Sequence, residues 1–213
     1  MDFLPEALDE YVVGNTTAET DLLNRLNRET YQKVLIPRML SGHLQGRVLS
    51  MLSHMIRPKT ILEIGTYTGY SAICMAEGLQ DNGKVITIDI NEELETMVRR
   101  YIEDAGLTDK IDFRVGNAID IIPSLDEELD LVFIDADKTN YSNYFDLVID
   151  KVRKGGFIIA DNVLWSGKVI EEVDEKDFDT QALKEYNDKI MKDPRVENCL
   201  FPIRDGLMVA RKL

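Results

Sequence analysis

From residue 60 the chain repeats one pattern five times: a short apolar run closed by a polar residue or glycine, usually followed by a helical stretch. Thr60-Ile61-Leu62-Glu63-Ile64 closes on Gly65, and the spacing predicts a helix over 70–79. Val85-Ile86-Thr87-Ile88 ends at Asp89, with a helix over 92–104. Ile111-Asp112-Phe113-Arg114-Val115 precedes Gly116-Asn117-Ala118. Leu131-Val132-Phe133-Ile134 ends at Asp135, with a helix over 141–152, and Gly156-Phe157-Ile158-Ile159-Ala160 ends at Asp161. Short β-rich runs separated by helices belong to a parallel sheet covered on both faces, an α/β architecture.

The flanking segments differ from this pattern. Thr16-Thr17-Ala18-Glu19 has the form of a capping box ahead of Leu22, Leu23 and Leu26. A second helix is expected over 43–56, stopped by Pro58. Between the two lies Pro37-Arg38-Met39-Leu40-Ser41-Gly42, a turn-rich wall or lid. After an acidic, solvated stretch over 171–179, a helix is expected over 181–191. Asp205-Gly206 between two β-like runs signals a hairpin, so the sheet is expected to finish with an antiparallel edge. Lys151, Arg153 and Lys154 are expected to complement a helix C-terminus. With 213 residues the chain suits one domain, a helical cap and lid over 1–58 and a sheet core over 59–213.

The formal charge of −14, from 25 basic and 39 acidic side chains, disfavours broad nucleic-acid binding. Cys74 and Cys199 are far apart and read as reduced thiols. His43 and His54, eleven residues apart, match no metal spacing and read as structural. Met1-Asp2-Phe3-Leu4-Pro5-Glu6 lacks the pattern of a secretory signal, and no window approaches the ~20 apolar residues of a membrane span, so a cytoplasmic location is expected.

In an open α/β sheet, ligands bind beyond the carboxyl ends of the strands. Those ends carry Glu63, Asp89, Asn117, Asp135 and Asp161. Asp135 and Asp161 as plain helix caps would leave Asn162 and Lys138 idle. The first turn, Glu63-Ile64-Gly65-Thr66-Tyr67-Thr68-Gly69, lets the backbone approach a ligand closely. Asp89, twenty residues after Gly69, is placed to accept hydrogen bonds from both hydroxyls of a ribose. A nicotinamide dinucleotide is disfavoured: Gly65 and Gly69 stand four apart, Tyr67 lies between them, and a pyrophosphate would meet Glu63. A cationic ligand tolerates that carboxylate.

Glu63-Ile64-Gly65-Thr66-Tyr67-Thr68-Gly69-Tyr70-Ser71, Ile134-Asp135-Ala136-Asp137-Lys138 and Ala160-Asp161-Asn162-Val163-Leu164-Trp165-Ser166-Gly167 resemble the caffeoyl-CoA and catechol O-methyltransferase family, especially its bacterial members. The resemblance runs from about residue 39 to the C-terminus. It implies the class I methyltransferase fold, a three-layer Rossmann-like sandwich with seven strands, the last antiparallel, and the cofactor S-adenosylmethionine. On that pattern Glu63, Gly65, Thr66 and Ser71 line the methionine side, with Asp135 beside them. Met39 and Ser41 cover it, Asp89 holds the ribose, Ala118 lies near the adenine, and Tyr144 is close to the cofactor.

The same resemblance implies Asp135, Asp161 and Asn162 as metal ligands and Lys138 as the proton-abstracting base. Two carboxylates and an amide oxygen are hard donors suited to Mg²⁺, with Mn²⁺ or Ca²⁺ as alternatives. Trp165 and Ser166 would flank a phenolic acceptor. Ser166 stands where plant members usually carry asparagine, which directs the expectation away from caffeoyl-CoA and toward smaller vicinal diphenols. The competing readings are methylation of a hydroxylated wobble nucleoside in tRNA and, in another class, an NAD-dependent oxidoreductase. Family members are commonly homodimers.

Overall fold

Every expected β-run is a strand in the computed structural model, which describes residues 5–213. Met1 to Leu4, part of the amino-terminal reading above, lie outside the described residues. Three helices come first, α1 (Glu6–Gly14), α2 (Asp21–Lys33) and α3 (Gly42–Ile56). Then β1 (Thr60–Ile64), α4 (Tyr70–Ala76), β2 (Lys84–Asp89), α5 (Glu95–Asp104) and β3 (Ile111–Val115) alternate. They are followed by α6 (Ala118–Ile121), β4 (Leu129–Ile134), α7 (Tyr141–Ile149) and β5 (Val152–Ala160). The chain closes with α8 (Phe178–Lys192) and the hairpin β6 (Val196–Phe201) and β7 (Leu207–Lys212).

The strands form one seven-stranded sheet in the order β3-β2-β1-β4-β5-β7-β6. Strands β1 to β5 are parallel, and β7 is inserted between β5 and β6, antiparallel to both. The hairpin expected from Asp205-Gly206 therefore places β6, not the last strand, at the edge. Alternation along each strand divides the core. Leu62, Ile64, Ile86 and Val132 pack with α7 and α8 on one face, while Ile61, Val85, Leu131 and Phe133 pack with α3, α4 and α5 on the other. Strand order reverses between β1 and β4, so the segments that follow them diverge and open a crevice at the carboxyl edge.

Three local expectations need correction. The cap of α2 is Thr20, whose Oγ1 accepts from Leu23 N at 3.3 Å. Thr16 instead donates to the Val12 carbonyl at 2.8 Å, and Glu19 accepts from the Tyr70 hydroxyl at 2.6 Å. A tertiary partner thus takes the carboxylate that a capping box would have used. Helix α7 ends at Ile149, and β5 begins at Val152. Arg153 then pairs with Asp130 of β4 at 2.5 Å and so serves no helix terminus, whereas Lys151 donates at 2.6 Å to the carbonyl of Leu125, the C-cap of a short 3-10 helix over 122–124. Finally, α8 starts inside the acidic stretch, because the Asp177 side chain caps it by accepting from Thr180 N at 3.2 Å.

His43 and His54 each bond a backbone carbonyl, Thr17 at 2.6 Å and Ser50 at 2.9 Å. Cys74 is buried and Cys199 exposed, both free. Among the described residues no helix is long and apolar enough to cross a membrane.

Candidate active site

The first turn after β1 is fixed by the neighbouring strands. Gly65 N donates to the Ile88 carbonyl at 2.9 Å, and Asp135 N donates to the Ile64 carbonyl at 2.8 Å. Gly65 adopts φ +101°, and a Cβ there would lie 1.9 Å from the Asp135 carbonyl oxygen. Only glycine lets the β1 and β4 segments approach this closely. Tyr67, also at positive φ, donates its N–H to Asp89 Oδ2 at 2.6 Å, while Asn91 N donates to Oδ1 at 2.9 Å. Both Asp89 oxygens are thereby oriented at the end of β2, and each keeps a second lone pair for a ligand.

Glu63 lies one residue before the end of β1 and is fully buried. Its register partner on β2 is Thr87, whose hydroxyl donates to Oε2 and lies 2.5 Å from the Thr66 hydroxyl. The other oxygen, Oε1, is buried and has no hydrogen-bond partner among the described residues. Burial pushes the carboxyl up to about 8 from 4.5; the Ser71 and Thr87 hydroxyls oppose the shift, and the charges of Asp135 and Asp89 add to it. An acid with a raised folded-state value contributes stability that is full below about pH 4.5 and is lost as pH rises through about 8. Ligand-free protein should therefore lose stability, on the order of a few kcal/mol, across that window. Glu63→Gln should flatten the dependence. Urea melts at pH 5.5 and 8.5 are the check, and parallel behaviour of the two proteins would refute it.

The second cluster is built from the ends of β4 and β5. Asp135 follows β4, Asp161 follows β5, and Asn162 is held at φ +58°. Lys138, only 9% exposed, brings Asp135 and Asn162 together. Its Nζ donates to Asn162 Oδ1 at 2.7 Å, to the Tyr141 hydroxyl at 2.7 Å and to Asp135 Oδ1 at 3.1 Å. The ammonium also lies 4.8 Å from the Tyr141 ring centroid and 5.8 Å from that of Trp165. Asp161 is buried, and its carboxyl is raised above the usual range by burial and then by the Asp135 charge. Its Oδ2 accepts from Gln45 Nε2 at 2.6 Å and its Oδ1 from Asn162 N at 2.7 Å. Among the described residues no three His, Cys, Asp or Glu side chains form a ready cation cage. The set here is two carboxylates completed by an amide oxygen.

The remaining expected residues line the same edge. Ala118 is the buried first residue of α6, capped by Asn117. Ser71 is buried in the first turn of α4. Tyr144 donates to Asp137, a carboxylate that the sequence did not single out. Ser166 N donates to Asp205 of the β6–β7 turn. Ser41 is buried, whereas Met39 is 57% exposed and the lid is anchored in the core by Leu40. The Tyr67 hydroxyl reaches the Leu35 and Ile36 carbonyls at 3.2 and 3.3 Å, tying the lid to the first turn.

Gln45, Tyr141 and Arg204 were not foreseen. Gln45 lies within the predicted 43–56 helix and Arg204 beside a hairpin signal, so neither position marks itself as a site residue in one dimension. Tyr141, three residues after Lys138, carried a helical-spacing signal. A surface cavity of about 590 Å³ lined by Lys84, Arg99, Glu103, Lys110 and Phe113 lies toward the starts of β2 and β3 and contains none of the site residues.

A family model described as O-methyltransferase matches residues 14–213. Caffeoyl-CoA O-methyltransferase 2 of Eucalyptus globulus is 41% identical over 225 aligned positions, covering 98% of this chain and 89% of the relative. Caffeoyl-CoA O-methyltransferase 5 of Nicotiana tabacum is 35% identical, covering 98% and 92%. Among solved structures, the O-methyltransferase of Bacillus cereus in complex with SAH superposes with TM-score 0.90 at 31% identity, covering 97% of each chain. The SAH-bound methyltransferase PaMTH1 of Podospora anserina also gives TM-score 0.90, at 27% identity, covering 100% of this chain and 99% of the other.

Proposed function

The chain belongs to the O-methyltransferase family, and we propose that it transfers the methyl group of S-adenosylmethionine to a hydroxyl of a small catechol-like acceptor, using a divalent cation held by Asp135, Asp161 and Asn162. The observation that carries this reading is the arrangement around Lys138. Asp135 and Asn162 already hold one cation, the ammonium, at 3.1 and 2.7 Å. Each oxygen has a further lone pair, and the buried Asp161 carboxyl, bonded to the Asn162 backbone N–H, is close enough to feel the charges of Asp135 and Lys138. The donors are all hard oxygens, which favours Mg²⁺ over softer metals, with Mn²⁺ or Ca²⁺ as alternatives.

The cofactor side is supported by Glu63. A buried carboxylate with one oxygen lacking a partner is complementary to an ammonium group. Asp89 offers two oriented oxygens for ribose hydroxyls, and Ala118 lies where α6 begins beyond β3. The relatives from Bacillus cereus and Podospora anserina bind SAH by their descriptions, consistent with this assignment.

S-adenosylmethionine supplies an electrophilic methyl group, and no covalent bond to the protein is needed to transfer it. A bound cation supplies Lewis acidity that favours the ionised form of an acceptor hydroxyl. The protein's own part is positioning and proton handling. Lys138 Nζ is held by Tyr141, Asp135 and Asn162 where, as the neutral amine that a neighbouring divalent cation would favour, it can take the acceptor proton, or as the ammonium can pair with the oxyanion. Trp165, with its ring near the same nitrogen, offers an aromatic wall to the acceptor. Holding both reactants in line supplies most of the rate.

The test is calorimetric titration of the wild type and Asp161→Ala with S-adenosylmethionine, then with catechol and Mg²⁺. Cofactor binding in both, with Mg²⁺-dependent catechol binding confined to the wild type, is the expected result. Cofactor binding without any catechol response would move the acceptor search to RNA. Absence of cofactor binding would overturn the proposal.

A further inference from the structure

The turn between β6 and β7 joins three segments that the sequence keeps far apart. Arg204 donates through a single nitrogen, Nη1, to the Leu40 carbonyl at 3.2 Å, to the Ser41 carbonyl and to Gln45 Oε1 at 3.0 Å. Gln45, 1% exposed on α3, passes its other end to Asp161, donating from Nε2 to Oδ2 at 2.6 Å. A guanidinium can only donate, so the Gln45 amide is locked in one orientation, oxygen toward Arg204 and nitrogen toward Asp161. The same turn holds the 163–166 segment, since Leu164 N donates to the Asp205 carbonyl at 2.9 Å and Val163 N to the Gly206 carbonyl at 3.2 Å. Insertion of β7 beside β5 is what brings this turn to the carboxyl edge of the sheet.

We infer that Arg204 and Gln45 are positioning residues that tie the lid over 37–42, with Leu35 and Ile36 leading into it, to the orientation of the Asp161 carboxylate, so that closing the lid over cofactor strengthens cation binding. The inference rests on the reading that Asp161 is a cation ligand. The lid meets Arg204 at one end and the Tyr67 hydroxyl of the first turn at the other. A ligand seated on the first turn thus acts on one end of the lid, and Asp161 is linked to the opposite end through three successive hydrogen bonds. By reciprocity, cation binding strengthens cofactor binding by the same factor.

Mn²⁺ affinity of the full chain, measured from the electron paramagnetic resonance signal of free Mn²⁺, reads this coupling directly. In the wild type, saturating S-adenosylhomocysteine should tighten Mn²⁺ binding by about tenfold, within the usual range of coupling factors. Gln45→Met and Arg204→Met should still bind each ligand, with the ratio reduced to within about twofold of unity. General destabilisation would weaken both affinities and leave their ratio, so loss of the ratio is specific to the link. If Arg204→Met does not fold, Gln45→Met alone decides. A tenfold ratio kept in a folded variant overturns the inference, as does a wild type that binds both ligands independently. A wild type that binds no Mn²⁺ removes the cation reading itself.

Discussion

Lys138→Met should lower turnover by about 10²–10⁴-fold, the range of a lost general acid or base, while leaving cofactor affinity near that of the wild type. It should also lower the stability of the metal-free protein. Lys138 is the ammonium paired with Asp135, at side-chain exposures of 10% and 20%. Removing one partner of a buried pair costs about 3–5 kcal/mol. The lower end applies here, because Asp135 keeps some contact with water. For a chain of this size 1 kcal/mol moves the melting temperature by about 2–4 °C, so a fall of roughly 6–12 °C is expected.

A divalent cation should restore much of that loss, because it would compensate the Asp135 carboxylate left unpaired, together with the Asp161 carboxylate near it. Saturation at a hundred times Kd is worth about 2.7 kcal/mol. Thermal melts of Lys138→Met with and without millimolar Mg²⁺, beside the wild type, test both statements. An unchanged metal-free melting temperature would mean that the ammonium does not compensate Asp135. A Mg²⁺ response no larger than the wild type's would separate the cation from this cluster.

Gly65→Ala should be the most damaging single methyl group that can be added near the site. The backbone there sits at φ +101°, and the new Cβ would fall 1.9 Å from the Asp135 carbonyl oxygen and 2.7 Å from its carbon. Neither atom is the end of a flexible side chain, so β1 and β4 must separate. Unfavourable φ costs about 1–2 kcal/mol and overpacking about 1–3 kcal/mol or more. Gly69→Ala is the matched control. Its φ is +87°, but its Cβ would meet only Val98 Cγ1, at 3.6 Å. Urea denaturation should therefore show Gly65→Ala losing about twice as much stability as Gly69→Ala or more. Activity of any folded Gly65→Ala should fall as well, because Asp135 moves with the carbonyl. Equal losses for the two variants would refute the steric account.

Strands were easier to read than their surroundings because a strand buried on both faces is written as an uninterrupted apolar run. β1 is buried at every position, and its run was visible without any partner. Helix starts were harder. Thr16 and Thr20 both precede the same helix, and the choice between them turned on Glu19, whose carboxylate is claimed by Tyr70, 51 residues away. The boundary between α7 and β5 failed for the same reason, since Arg153 finds its partner on a neighbouring strand.

What the sequence determined by itself was the set of groups at the strand ends. Because strand polarity is common to β1 through β5, any polar residue closing an apolar run must arrive at one edge of the sheet. That principle places Glu63, Asp89, Asp135 and Asp161 together without knowledge of a single distance. Tertiary structure alone decided what those groups touch. That Glu63 keeps one oxygen without a partner, that Lys138 bridges Asp135 and Asn162, and that Gln45 and Arg204 reach Asp161 all depend on contacts spanning up to 164 residues. Hydrogen bonds and ion pairs act over a few ångströms of space, and separation along the chain does not limit them once the sheet has closed the distance.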